Sequence, residues 1–227
     1  YKAESTMIVP SMTVQEIHKE VFDEIENLKA KLKESPEDFK KNVLRSKHFP
    51  FTKSYEFKTR EKKNVFIVDF TAIKRSYWKK PILTIYGIYS RSEGKYAVAL
   101  SVDLNMISIH PPHCFKRYRE RIIKDDFLSN EEIIRLYFKN DWGFVGAIVN
   151  QDFESVYHYF ESDNKNEKLS FVGANSQGYC FGEKQGNINI LKTIISEEML
   201  FENQKPIFSK LKNSLKEYNK ERYGTDI

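Results

Sequence analysis

Early in the chain, apolar residues recur at helical spacing. Ile17, Val21, Ile25 and Leu28 fall on one face, with charged residues between them. That period predicts an amphipathic helix, and Thr13 stands where a side-chain cap would start it. Ser35-Pro36-Glu37-Asp38 is a second start signal, combining a cap, a Pro at the first position and acids in the first turn. The helix it opens ends before His48-Phe49-Pro50. Together the two form a helical hairpin over residues 1–50 whose apolar faces need a partner surface.

From about Phe51 the period changes to two. Strands are expected at 55–59, 64–70, 81–89 and 96–102, the last two joined through Arg91-Ser92-Glu93-Gly94-Lys95. A short strand at 106–109 runs straight into a helix beginning near Pro111-Pro112. Ser129-Asn130-Glu131-Glu132 starts another helix. Strands are expected again at 145–149, 156–160, 169–172, 178–181 and 188–195. Glu183-Lys184-Gln185-Gly186-Asn187 turns between the last two. Ser196 caps a short helix, and Pro206 begins a final one whose lysines read as a solvated face. The pattern implies an α+β fold: a mostly antiparallel sheet with helices packed on one face. The helical extension 1–50 precedes an α+β domain over 51–227, with one continuous domain as the alternative.

Composition narrows the class. At 227 residues, 40% hydrophobic and 30% charged, the chain reads as soluble and globular. No apolar run approaches the ~20 residues that span a bilayer, so no membrane association is expected. The net charge of +5 permits a nucleic-acid partner without arguing for one. Two cysteines, Cys114 and Cys180, make no disulfide framework and suit a reducing compartment, so a cytoplasmic location is expected. The sequence starts at Tyr1 instead of Met, which leaves export open.

Candidate chemistry concentrates in one stretch. His113, Arg117 and Arg121 are spaced four apart, which on a helix returns each to nearly the same face. Glu120 lies beside His113, while Phe115, Tyr118 and Ile122 read as the buried side. Like charges four apart repel, so Glu120, another carboxylate or a bound anion should offset the arginine pair. Near a helix N-terminus the dipole disfavours imidazolium, so His113 is expected to be neutral. A neutral imidazole beside two permanent cations suits a phosphodiester. The donors His110, His113 and Cys114, with Cys180 or His158, also have zinc-type chemistry. There is no Cys-x-x-Cys pair and no second compact cluster, so no metal is expected, nor any cofactor.

The run H-x-x-x-R-Y-R-E-R-I at 113–122 resembles the H-x-x-x-R-M-x-E-R-x-I helix of bacterial toxin-like domains, the barnase, EndoU, colicin D and RelE-like fold group. The late strand 188–196 is similar in character to that group's closing strand, which often bears a Thr or Ser. The resemblance covers the second half of the chain only. It implies a metal-independent endoribonuclease with its site on the sheet beside the helix. On that reading His113 transfers a proton, with His110 as the second proton-transfer group. Arg117 and Arg121 hold the phosphate, and Thr193, Ser196 and Glu120 help position it. RNA is then the expected partner, and the N-terminal helices offer a surface for a protein partner or inhibitor. The alternative is a non-enzymatic module that binds protein or nucleic acid, with His113 structural.

Overall fold

Thr13 starts the first helix by a reciprocal cap. Its hydroxyl accepts from the Glu16 backbone N–H (3.2 Å), and the Glu16 carboxylate accepts from the Thr13 N–H (2.7 Å). The helix predicted through Leu28 is broken at Glu24 into α1 (Val14–Asp23) and α2 (Ile25–Lys31). The apolar stripe continues across the break, with Ile17, Val21, Ile25 and Leu28 all buried. A third helix, α3 (Glu37–Arg45), has Pro36 at its cap position. Ser35, the cap expected there, lies outside the described residues.

The computed structural model describes residues 9–32, 36–59, 64–150, 153–154 and 169–224. These gather into two units, Tyr1–Ile107 and Ser108–Ile227. The fold is α+β. In the first unit β1 (Phe51–Lys58), β2 (Val65–Ala72), β3 (Ile82–Arg91) and β4 (Gly94–Ser101) form an antiparallel meander. α3 shares the core of this sheet: its Phe39 ring lies 6.1 Å from Phe51 and 5.6 Å from Phe70. A 3₁₀ turn, Arg75–Lys79, follows β2 and packs on α3.

β5 (Met106–His110) leads into the second unit. There α4 (Pro112–Tyr118) runs on into a π-turn, Arg119–Ile123. α5 (Asn130–Lys139) has its own reciprocal cap between Ser129 and Glu132. β6 (Phe144–Ile148), β7 (Leu169–Asn175), β8 (Gly178–Gln185) and β9 (Ile188–Ile195) form a second antiparallel meander, and α6 (Lys205–Tyr223) closes the chain. The strand expected at 156–160 lies outside the described residues. Phe208 of α6 packs on Tyr179 and Phe181 of β8, with ring centroids 4.9 and 5.9 Å away. Between them Cys180 turns toward Tyr137 of α5. Among the described residues no helix is long and apolar enough to cross a membrane.

The β8–β9 ladder slips once. Phe181 pairs with Thr193 but Gly182 pairs with Leu191, so Lys192 is the extra residue of a bulge. Bulges re-aim the side chain they carry. Gly182 makes room for this: a Cβ there would collide with the Ile190 carbonyl and meet the Phe171 ring at 2.8 Å. Gly182→Ala is therefore expected to destabilise the chain by about 1–3 kcal/mol or more, read as a lower urea midpoint. An unchanged midpoint would show that the backbone here is not so constrained.

Candidate functional site

Pro111 and Pro112 set where α4 begins. Pro112 occupies the first helical position, where its missing N–H costs nothing, and the Pro111 carbonyl accepts from Cys114 N–H (3.0 Å). His113 thus falls in the first turn and is exposed, while Cys114, Phe115 and Tyr118 are buried beneath it. α4 lies against β9.

Part of the His113 residue is open to solvent, yet its ring pKa is held below the ordinary imidazole value. Protein packed around the ring is the largest cause, followed by the positive charges of Arg117 and then Lys192. Lys192 reaches this place through the bulge in β9 and forms an ion pair with Glu183 of β8. Glu183 is itself buried, at 7% exposure. A buried carboxylate needs a partner, so it fixes where the Lys192 ammonium stands. Neither Lys192 nor Glu183 was expected. The available signal was Lys192 as the one charge within the apolar run Ile188–Ile195.

Arg121 does not continue the α-helical stripe. The helix ends at Tyr118, and the π-turn, closed by Lys124 N–H donating to the Arg119 carbonyl (2.7 Å), shifts the register that four-residue spacing assumes. Arg121 instead donates to the Thr193 hydroxyl (2.8 Å) and to the Ile194 carbonyl (3.2 Å). It ties the turn to β9, and Thr193 is fully buried at that junction. Ile122, expected to be buried, is only partly covered.

The remaining expected residues lie elsewhere. Glu120 is exposed and pairs with Lys116 at 4.0 Å, one turn back. Ser196 stands just beyond β9, where its carbonyl accepts from Met199 N–H (3.1 Å) in a 3₁₀ turn. His110 is 2% exposed, so it does not share the solvent-facing position of His113. Its ring lies among Phe115, Tyr137 and Phe138, with centroids 5.9, 5.2 and 5.1 Å away. Its Nδ1 donates to the Ser108 carbonyl (3.2 Å), which fixes the neutral tautomer. Burial drives its pKa down to about 3. Among the described residues no three His, Cys, Asp or Glu side chains gather as metal donors. His158 lies outside them.

The charges of Arg117 and Lys192 thus both act on His113, and Arg121 is joined to Thr193. Comparison with protein-family models, with curated proteins and with solved structures returned no match.

Proposed function

We propose that the second unit cleaves RNA by a metal-independent route centred on His113. The observation that carries this reading is a partly exposed imidazole whose pKa is held below the ordinary value, with the charges of Arg117 and Lys192 both acting on it. A neutral ring accepts a proton near pH 7, and the same cations that keep it neutral attract a phosphodiester.

In the proposed reaction His113 takes the proton of a ribose 2′-hydroxyl. The 2′-oxygen attacks phosphorus, and the bond to the 5′-oxygen of the next nucleotide breaks. The products are a 2′,3′-cyclic phosphate and a 5′-hydroxyl. The proton ends on the departing 5′-oxygen, so no water is consumed. Arg117 offers a planar two-pronged contact to the phosphate oxygens, and Lys192 a point charge, as negative charge builds on them. Arg121 is assigned a positioning role, holding α4 and its π-turn on β9 through Thr193 and Ile194.

The test is a cleavage assay on single-stranded RNA and on the DNA of the same sequence, both with chelator present. RNA is expected to be cut and DNA to remain intact, because DNA lacks the internal nucleophile. Loss of RNA cutting on adding chelator, or equal cutting of the DNA, would contradict the proposal.

A further inference from the structure

Two separate stretches of the first unit concentrate its positive charge. Residues 39–50 and 73–81 together hold eight Lys or Arg and no Asp or Glu. The whole chain has a net charge of +5, so everything outside these two stretches is net negative. The fold brings the stretches together. The 3₁₀ turn Arg75–Lys79 packs on α3, and the Arg75 guanidinium donates to the Ser46 carbonyl (3.2 Å) at the end of that helix. The two acids of α3, Glu37 and Asp38, stand in its first turn, where Glu37 pairs with Lys40 at 3.7 Å. Asp38 is already taken up by Lys53 and Tyr55.

Aromatic rings are set among these cations. Trp78 has Lys40 at 4.7 Å and Lys79 at 5.5 Å from its ring centroid, and Tyr77 has Lys74 at 5.1 Å. Tyr77 and Trp78 are partly exposed, and Lys74, Arg75, Lys79, Lys80 and Lys47 are exposed. Exposed cation–π contacts are worth about 0.5–1 kcal/mol, and stacking of a nucleobase on an aromatic ring about 1–3 kcal/mol. A base can therefore displace Lys79 from Trp78 or Lys74 from Tyr77, and the released ammonium can turn to a phosphate, while Lys40 stays paired with Glu37.

We infer that this basic aromatic surface, formed by the end of α3 and the turn Arg75–Lys79, binds single-stranded nucleic acid. Phosphates meet the lysines and arginines, and bases stack on Trp78 and Tyr77. An A-form or B-form duplex keeps its bases stacked inside and offers the rings nothing, so the surface selects single strands.

The experiment uses the full chain carrying Trp142→Phe, which leaves Trp78 as the reporting indole. Three probes are titrated: a 2′-O-methyl oligouridine of about 20 nucleotides, an oligothymidine of the same length, and phosphatidylcholine vesicles with about a quarter phosphatidylserine. The proposed cleavage cannot cut either oligonucleotide, so the outcome is independent of whether the chain is a ribonuclease. Both oligonucleotides are expected to bind and quench Trp78, and the vesicles to leave its emission unchanged. Lys47→Gln/Lys74→Gln/Lys79→Gln should weaken oligonucleotide binding at least about tenfold near 0.1 M salt. It should also reduce the slope of log affinity against log salt by about 2, since each lost phosphate contact contributes about 0.7. Lys210→Gln/Lys216→Gln/Lys220→Gln removes the same charge from exposed positions on α6 and should change neither quantity. Equal losses from both triple variants would overturn the inference, since binding would then follow net charge alone. Binding to vesicles but not to oligonucleotides, or oligonucleotide binding without Trp78 quenching, would overturn it as well.

Discussion

His113→Ala is expected to cut single-stranded RNA at least about 10²-fold more slowly than the parent chain, because it removes the group that carries the proton. The residue is partly open to solvent and its lowered pKa marks it as uncharged in the fold, so thermal melts should change little. A slow variant that also melts early would point to misfolding instead of lost chemistry. Arg117→Lys separates charge from shape. It keeps the cation that helps hold the His113 pKa down but loses the two-pronged contact to phosphate. Its rate should fall while the acid limb of its pH–rate profile stays in place. Arg117→Gln should instead move that limb toward higher pH, because one of the charges opposing imidazolium is gone. In the parent chain the limb should lie below the ordinary imidazole value of 6.5. Equal rates for parent and His113→Ala would favour the non-enzymatic reading of this surface.

The second large effect concerns stability in acid and comes from His110. Its folded-state pKa is about 3, against an ordinary value of 6.5. Between those limits the unfolded chain binds a proton that the folded chain refuses. The contribution of this group to stability is fully present above 6.5 and is lost as pH falls, by about 1.4 kcal/mol per unit. From pH 6.5 to 4.5 that amounts to about 2 kcal/mol. His110→Phe keeps a ring among Phe115, Tyr137 and Phe138 and cannot take up a proton. It gives up the hydrogen bond to the Ser108 carbonyl, at a cost of about 1 kcal/mol at neutral pH. Its urea-derived stability should nevertheless fall less steeply than the parent's across this range. Asp141 works in the opposite direction. Burial pushes its carboxyl up to about 7, so there the folded state holds the extra proton, and this contribution to stability declines as pH rises toward 7. That term is common to parent and variant, so the difference between their slopes isolates His110. Parallel slopes would mean that the His110 ring is reached by water or charged in the folded state.

Local signals carried much of this architecture. The helix starts at Thr13 and Ser129, the buried stripe from Ile17 to Leu28 and the strands from Phe51 onward depend on neighbours in sequence and form as expected, though the helix that carries the stripe breaks at Glu24. The apolar face of the motif helix was legible in the same way, with Phe115 and Tyr118 buried. What escaped depends on contacts between distant residues. The π-turn is tied by Arg121 to Thr193 and Ile194, more than seventy residues on, and four-residue spacing holds no trace of that. The bulge at Lys192 is a property of a strand pair, so neither strand alone reveals it. His110 was expected as a second proton-transfer group, but it shares its side of β5 with Ser108. The aromatic side chains of α4 and α5 close over that side and bury it. Glu120 illustrates the limit of counting positions, since it lies near His113 in sequence yet pairs with Lys116.

If His113 drives attack by the neighbouring 2′-hydroxyl, the chemical ends of the products record it. A defined single-stranded RNA is incubated with the purified chain and chelator, and the fragments are weighed by mass spectrometry. Fragments should end in a 2′,3′-cyclic phosphate, their partners should begin with a 5′-hydroxyl, and neither species should rise above background with His113→Ala. Fragments bearing a 3′-hydroxyl and a 5′-phosphate, or RNA recovered whole, would contradict it.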